Sequence, residues 1–348
     1  MNEEALKEFS SLEIEPLIAD RPAEPRDSSR LLAVSRADGS LSHRNFRDLP
    51  ELLGPGDMLV LNRSKVWKAR LAAAKPTGGK SEILLMAPES PDHLVWTGLC
   101  RKIQPGQTLN CAGGAVAECL ARKADGSYSF RFSLPVDEAY LAANGAVPLP
   151  QYILNARKRR GAEAPADEEK YQTVYAAEAG SIAAHTAGFH FTPELLARLA
   201  AAGVKTAFVT LHIGWGTFRP VRNEDPAAHV MMEEACEVSP ETAAAINAHR
   251  AAGGRIVAVG TSSMRTLETF SDETGTVRAG SGKAGLFIRP GYKFKVAGAF
   301  ITNLHVPESA PLYMTAAFAG RDLLLKAYTE AVKEKYRFYS YGDSMLIY

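Results

Sequence analysis

The sequence predicts an α/β main domain with an inserted antiparallel β-barrel domain. Between residues 69 and 150, short apolar segments recur about every 8 to 12 residues, separated by Gly, Pro and Asp and without a helical period. After residue 150, helices alternate with strands. A barrel leaves no open strand edges, so it can be inserted between two parts of another domain. We therefore expect a discontinuous α/β domain over 1–68 and 151–348, and a barrel over 69–150.

The composition is that of an ordinary folded protein. The chain has 348 residues, of which 46% are hydrophobic and 23% charged, and its formal net charge is +1. This balance excludes a general attraction to nucleic acid, so an RNA partner needs a local basic patch. No apolar run approaches the roughly 20 residues of a membrane span, and the acidic N-terminus is unlike a signal peptide, which predicts a cytoplasmic protein without a membrane partner. The four cysteines lack metal-ligand spacing, which predicts free thiols and no metal site.

The first half of the chain contributes strands to both predicted domains. A short strand is expected over residues 30–34, and the apolar run 58–61 predicts a buried strand that ends at Asn62. For the barrel we predict strands over 81–86, 93–96, 115–120 and 128–132, joined by Gly-containing turns near residues 78, 106 and 126.

Residues 183–221 combine three histidines with a helix-to-strand passage. Thr192 is a suitable N-cap, Pro193 occupies the first helical position, and Gly203 ends the helix. The following strand delivers His212 at its carboxyl end, directly before a Gly-Trp-Gly-Thr turn. A Gly-x-Gly after a strand also suits dinucleotide binding, but Arg219 stands in place of the third glycine and a proline follows it. A tight turn is the better interpretation.

The later helices continue the alternation. Ser239 caps a helix that Gly253 ends, and a buried strand over 255–260 leads directly into another helix at Thr261. The free N–H groups and hydroxyls at that start are suited to an anion, although plain capping by Thr261 or Ser262 fits the pattern slightly better. Residues 301–307 form another polar strand end, and two helices are expected over 309–320 and 321–336.

Polar residues collect at the predicted strand ends. Open α/β sheets bind ligands beyond the carboxyl ends of their strands. Several histidines at one edge favour proton transfer, whereas a lone histidine is more often a hydrogen-bonded core residue. The residues concerned are Asn62, His190, His212, Thr217, Thr261, Arg265, Asn303 and His305. The basic run over 157–160 is interpreted equally well as a phosphate-binding loop or as a solvated, charge-balanced loop.

Short motifs in a fixed order carry a family resemblance from about residue 29 to the C-terminus. They include Ser29-Arg30-Leu31-Leu32, Pro55-Gly56-Asp57, Tyr171-Gln172-Thr173-Val174-Tyr175, Thr186-Ala187-Gly188, Gly216-Thr217-Phe218, Arg265-Thr266-Leu267-Glu268 and Tyr341-Gly342-Asp343. Together they resemble the S-adenosylmethionine:tRNA ribosyltransferase-isomerase family of the queuosine pathway.

The resemblance implies a transferase-isomerase. Such an enzyme transfers the ribosyl moiety of S-adenosylmethionine to the aminomethyl group of 7-aminomethyl-7-deazaguanine at the tRNA wobble position and isomerises it, forming epoxyqueuosine and releasing adenine and methionine. It implies no cofactor beyond S-adenosylmethionine, which serves as the ribosyl donor. In this reaction a base removes a C5′ proton made acidic by the sulfonium, and an acid assists the departure of adenine.

The residue roles that follow are expectations. The catalytic candidates are His212, His305 and His190. The substrate-binding candidates are Asn62, Thr186, Gly188, Gly216, Thr217, Thr261, Arg265, Glu268 and Asn303. The tRNA-binding candidates are Arg157, Lys158, Arg159 and Arg160.

Several positions differ from the family motifs. The six that bear most on the acceptor and the reaction are Arg63, His185, Trp215, Met232, Ala297 and Glu308. Two alternatives follow from them: a relative that uses S-adenosylmethionine with a different amine or nucleobase acceptor, and a non-catalytic RNA-binding protein on the same scaffold.

Overall fold

The structure is a computed structural model that describes residues 3–161, 167–218 and 229–348. The strands are β1 (Arg30–Val34), β2 (Leu41–Asn45), β3 (Asp57–Asn62), β4 (Ser64–Val66), β5 (Arg70–Ala74), β6 (Lys80–Pro88), β7 (Val95–Cys100), β8 (Thr108–Cys111), β9 (Val116–Arg122), β10 (Tyr128–Phe132), β11 (Gly145–Ala146), β12 (Glu178–Ser181), β13 (Lys205–Leu211), β14 (Glu234–Val238), β15 (Arg255–Val259), β16 (Gly280–Ala284), β17 (Ala297–Asn303) and β18 (Ser344–Ile347). The helices are α1 (Leu49–Leu52), α2 (Glu138–Asn144), α3 (Gln151–Arg160), α4 (Asp167–Lys170), α5 (Pro193–Ala201), α6 (Pro240–Ala251), α7 (Gly260–Phe270), α8 (Ala310–Ala319) and α9 (Arg321–Lys333).

A nine-stranded mixed sheet forms the centre of the α/β part. Its order is β16-β14-β13-β3-β15-β17-β18-β1-β2. The four neighbours β13, β3, β15 and β17 are parallel, so their carboxyl ends lie at the same edge. Every residue of β3 is buried, as expected of a strand covered on both faces. Leu59 and Leu61 face one core, whereas Met58 and Val60 face the other.

Helices cover both faces of this sheet, and they begin where the sequence predicts. The Thr192 hydroxyl accepts a hydrogen bond from the Leu195 N–H (3.1 Å) at the start of α5, and Ser239 caps α6 in the same way. Leu195 and Leu199 pack α5 into one core. Helices α7, α8 and α9 contribute to the other core.

The second part is a closed antiparallel barrel, which confirms the predicted fold class. Strands β5, β6, β7, β10, β9 and β8 pair in that order, and pairing of Ala73 with Cys111 and of Ala74 with Asn110 closes the circle. The interior is filled by large side chains such as Trp96 and Phe130. The domain boundaries at 68/69 and 150/151 stay a prediction.

Several local predictions were wrong. The basic run 157–160 is not a loop but the last turn of α3, which ends at Gly161 with a positive φ of 59°. Strands β2, β5, β8 and β18 are among those not predicted; all four are short, and β2 is largely exposed. The strand expected from residue 93 begins at Val95, since His93 has a φ of 56° in the preceding turn.

The four cysteines are free, as predicted. Among the helices that the structure describes, none is both long and apolar enough to cross a membrane.

Candidate functional site

A cleft of about 1420 Å³ lies beyond the carboxyl ends of β15 and β17, with residues of the barrel in its opposite wall. Five residues predicted for the site line it, and they come from three separate segments of the chain. They are Thr186, Thr261, Arg265, Asn303 and His305. The other described candidates do not line this cleft, and the side chain of Thr217 lies outside the described part of the chain.

His305 is the predicted catalytic histidine that lines the cleft. Its Nε2 lies 2.6 Å from the Thr302 hydroxyl, and its backbone N–H donates to the Tyr328 hydroxyl at 2.7 Å. These contacts orient the ring through Nε2 and the backbone. Burial lowers the pKa of His305 to about 3, so the imidazole is neutral at physiological pH.

His190 lies behind the cleft and contacts one of its lining residues. The Asn303 amide donates to His190 Nε2 at 3.4 Å, and the Ser29 hydroxyl lies 2.7 Å from Nδ1. Burial lowers the pKa of His190 to about 3. A neutral ring that accepts at Nε2 carries its proton at Nδ1 and donates to Ser29. His190 therefore orients Asn303, whose Oδ1 accepts from Thr186 at 3.3 Å in the cleft wall.

His212 does not line the cleft, although its neighbour Ile213 does. Successive side chains of an extended chain point to opposite sides, which separates the two residues. The His212 ring packs against Gly180, where a β-carbon would lie 2.4 Å from Nδ1. Burial lowers the pKa of His212, and Glu178 and Glu237 partly oppose this shift.

Asn62 and Glu268 hold the scaffold together. The Asn62 amide donates to the Leu211 carbonyl (2.9 Å) and accepts from the Leu211 N–H (3.1 Å), which ties β3 to β13. Glu268 accepts from the Tyr292 hydroxyl at 2.9 Å and from two backbone N–H groups of the 295–296 segment. Burial raises the pKa of Glu268.

The two candidate glycines are required by close packing. A β-carbon at Gly188 would lie 2.2 Å from the Tyr175 hydroxyl, and one at Gly216 would lie 2.7 Å from the Met232 β-carbon. Any side chain at these positions forces its neighbours to move, so both residues shape the walls near the cleft.

Arg265 and Glu234 form a buried ion pair in the cleft wall. The second carboxylate oxygen of Glu234 accepts from the Gly214 N–H at 2.7 Å. Burial lowers the pKa of Arg265 to about 10, which leaves it charged at physiological pH. Glu234 was not predicted from the sequence, because β14 lies at the antiparallel side of the sheet and carries no recognisable motif.

The start of α7 has no side-chain cap, so the capping interpretation of Thr261 and Ser262 was wrong. Gly260 turns the chain from β15 into the helix with a φ of 80°, a conformation that disfavours any residue with a side chain. Thr261 and Ser262 both line the cleft. The Ser262 hydroxyl is buried without a hydrogen-bond partner in the described part of the chain.

His185 is a cleft residue that the sequence marks only as a difference from the family motif. Its side chain is buried against Tyr175, with ring centroids 5.6 Å apart. Neither ring nitrogen has a hydrogen-bond partner among the described residues. Burial lowers the pKa of His185 to about 3. The sequence feature that could have identified His185 as a site residue is the presence of a histidine in the mostly apolar stretch 182–187.

The predicted tRNA-binding cations of α3 lie away from the cleft, and three of them are already paired. Buried Arg157 donates two hydrogen bonds to Asp167, at 2.6 and 2.7 Å. Arg159 pairs with Glu15, and Arg160 pairs with Asp20 at 2.8 Å. Arg157 therefore stabilises the fold and is not accessible to a phosphate.

A different set of cations lines the cleft on the barrel side: Arg70, Lys75, Lys80, Arg101 and Lys102. Arg70 lies 3.5 Å from Glu82, whereas Lys80, Arg101 and Lys102 are exposed. The Lys75 ammonium donates to the Lys102 carbonyl at 3.0 Å, which holds the β5–β6 turn beside the β7–β8 loop. No sequence signal identifies this cluster, because barrel closure alone brings the two segments together.

A parallel sheet edge with a cleft of mixed polar and apolar lining, bordered by residues of a closed barrel, defines the class of α/β enzymes that carry an inserted barrel. Within the described residues, no group of three or more His, Cys, Asp or Glu side chains is arranged to hold a metal ion. The chain belongs to the family described as queuosine biosynthesis protein, whose pattern it matches over residues 8–347.

Full-length relatives support this assignment. The chain is 50% identical over 337 residues to the S-adenosylmethionine:tRNA ribosyltransferase-isomerase of Symbiobacterium thermophilum, covering 95% of this chain and 96% of that protein. It is 47% identical over 334 residues to the enzyme of the same name from Thermotoga petrophila, covering 95% and 96%. The crystal structure of S-adenosylmethionine tRNA ribosyltransferase from Thermotoga maritima is similar with a TM-score of 0.53 and 36% identity, covering 97% of this chain and 98% of that one.

Proposed function

We propose that this protein is an S-adenosylmethionine:tRNA ribosyltransferase-isomerase of queuosine biosynthesis. It transfers the ribosyl moiety of S-adenosylmethionine to the aminomethyl group of a 7-deazaguanine at the tRNA wobble position. Full-length similarity to enzymes of that name is the observation that carries this conclusion. The cleft suits the reaction, because one wall offers buried polar groups for a small molecule and the other offers cations for RNA.

The donor occupies the α/β side of the cleft. Phe287, Ile288 and Met314 supply an apolar wall suited to the adenine ring. Thr186 and Asn303 supply hydroxyl and amide groups suited to the ribose hydroxyls. The buried Arg265–Glu234 ion pair lies in the same wall and holds its shape.

His305 is our candidate for proton transfer. Thr302 orients its ring through Nε2. The neutral imidazole has a nitrogen lone pair that can accept the acidified C5′ proton and return it to the departing adenine, but its lowered pKa makes it a weak base, so the sulfonium must supply most of the driving force. His305→Gln is expected to lower turnover by roughly 100-fold. His212→Gln is the matched control and should keep near wild-type turnover, because His212 does not line the cleft. Equal rates for both variants would contradict this role.

The tRNA backbone contacts the barrel side of the cleft. Lys80, Arg101 and Lys102 are exposed and lie where RNA must approach to place its base beside the donor. Replacing the three with glutamine should weaken tRNA binding and reduce the slope of log affinity against log salt by about 1 for each phosphate that is no longer neutralised. Arg44→Gln with Arg47→Gln is the control, since these exposed cations flank the end of β2 and do not line the cleft. An unchanged salt slope in the triple variant would exclude the barrel surface.

The overall function is tested by incubating the protein with S-adenosylmethionine and tRNA that carries the aminomethyl precursor, while adenine release is followed by chromatography. Adenine formed only with the modified tRNA is the expected result. Release with another acceptor instead would indicate a different transferase. RNA binding without release under any condition would indicate a non-catalytic protein.

A further inference from the structure

The first turn of α7 offers hydrogen-bond donors to the cleft. The first N–H groups of an α-helix have no acceptor within the helix, and they carry a partial positive charge. Among the described residues no side chain caps them, and Thr261 and Ser262 line the cleft. Because Gly260 starts the helix directly at the end of β15, this turn opens at the edge of the sheet where ligands bind.

Two buried side chains next to this turn are unpartnered within the described residues. The hydroxyl of Ser262 and both ring nitrogens of His185 lack a hydrogen-bond partner, although the residues are only 5% and 4% exposed. Both line the cleft. The turn Thr186–Gly188, which directly follows His185, packs against α7, and a β-carbon at Gly260 would lie 3.5 Å from that of Ala187. Buried polar groups are nearly always hydrogen-bonded, so these side chains are suited to hydrogen-bond a ligand in the cleft.

The ligand group that fits is a small anion. The helix start and the Ser262 hydroxyl supply donors, and the neutral imidazole of His185 supplies one N–H. Arg265 follows one turn later on the same helix, where its pairing with Glu234 keeps it in the wall. S-adenosylmethionine has one anionic group, which is the carboxylate of its amino-acid part. A phosphodiester of folded RNA is less able to reach residues buried this deeply.

We propose that the first turn of α7, with Ser262 and His185, binds the carboxylate of S-adenosylmethionine. This inference rests on the proposed function, since it takes S-adenosylmethionine as the substrate. It makes Ser262 and His185 determinants of donor specificity, because they distinguish the amino-acid part of S-adenosylmethionine from the aminopropyl chain of its decarboxylated analogue.

The test compares the affinities of S-adenosylmethionine and of its decarboxylated analogue, measured by calorimetry without tRNA. The wild-type protein should bind the analogue at least about 10-fold more weakly. Ser262→Ala and His185→Phe should each weaken binding of S-adenosylmethionine by about 3- to 10-fold and leave binding of the analogue unchanged. Phenylalanine keeps the ring packing on Tyr175, and thermal melts check that both variants remain folded.

Ser263→Ala is the matched control. Ser263 is a buried serine on the same turn, and its hydroxyl has no partner within the described part of the chain. Because Ser263 does not line the cleft, its replacement should leave both affinities at the wild-type level.

Equal binding of the two ligands by the wild type, or an equal loss of both in the variants, would overturn the carboxylate assignment. Weaker tRNA binding with unchanged donor binding would assign the site to a phosphate instead. Adenine release by the wild-type protein separates these results from failure of the proposed function, in which neither donor binding nor release occurs.

Discussion

Replacing Arg157 with methionine is expected to destabilise the protein without weakening its binding of tRNA. The guanidinium donates two hydrogen bonds to Asp167 and a third to the Asp20 carbonyl at 3.0 Å. The side chains of Arg157 and Asp167 are 7% and 14% exposed. Removing the guanidinium leaves the largely buried Asp167 carboxylate with the Tyr341 hydroxyl as a remaining donor (3.1 Å) but without its cation, which costs up to about 3 to 5 kcal/mol of unfolding free energy.

The comparison variants are chosen from the same helix and the same pair. Arg159→Met should cost less than about 1 kcal/mol, because its ion pair with Glu15 is exposed at 46% and 74%. The double variant Arg157→Met with Asp167→Leu should be less destabilised than Arg157→Met alone, since apolar residues of similar volume often replace a buried pair without loss.

Urea unfolding followed by circular dichroism measures these effects, and filter binding measures tRNA affinity. If Arg157→Met has the same urea midpoint of unfolding as the wild type and binds tRNA more weakly, the structural role of Arg157 is refuted. That outcome would mean that Arg157 is available to RNA and that its ion pair with Asp167 contributes little.

Two further predictions concern the residues behind the cleft. The pKa of His190 is about 3 in the folded protein against an ordinary value near 6.5, so its contribution to stability is complete above that ordinary value and is lost as the pH falls towards 3. The free energy of unfolding, measured by urea titration from about pH 7.5 down to about pH 5, should therefore fall less steeply with pH in His190→Asn than in the wild type. The difference in slope should be up to about 1.4 kcal/mol per pH unit, and equal slopes of unfolding free energy against pH would disprove this. Gly188→Ala should lower the thermal midpoint by an amount equivalent to about 1 to 3 kcal/mol, because its β-carbon overlaps the Tyr175 hydroxyl, and Tyr175→Phe should restore part of the loss. Gly54→Ala, where the β-carbon meets nothing within 4 Å, is the control, and equal effects of the two alanines would contradict the role of packing at Gly188.

Much of the fold followed from local chemistry. Thr192 and Ser239 mark helix starts because their hydroxyls accept backbone N–H groups, and the continuous apolar run of β3 marks a strand buried on both faces. The change from dense short strands to alternating helices and strands was sufficient to predict an inserted barrel. These signals lie within a few residues of one another, so they can be read along the chain.

The site depended more on tertiary packing. The sequence alone placed polar residues at the ends of β3, β13, β15 and β17, including His212 directly before Ile213. Only the packed structure decided that the cleft lies on the side of Ile213, that Arg157 is buried with Asp167, and that Ser262 has no capping partner among the described residues. Barrel closure likewise brought Lys102 beside Lys75. Secondary structure follows from interactions between near neighbours, whereas a binding site is formed by distant segments whose meeting is determined by how the sheets and helices pack.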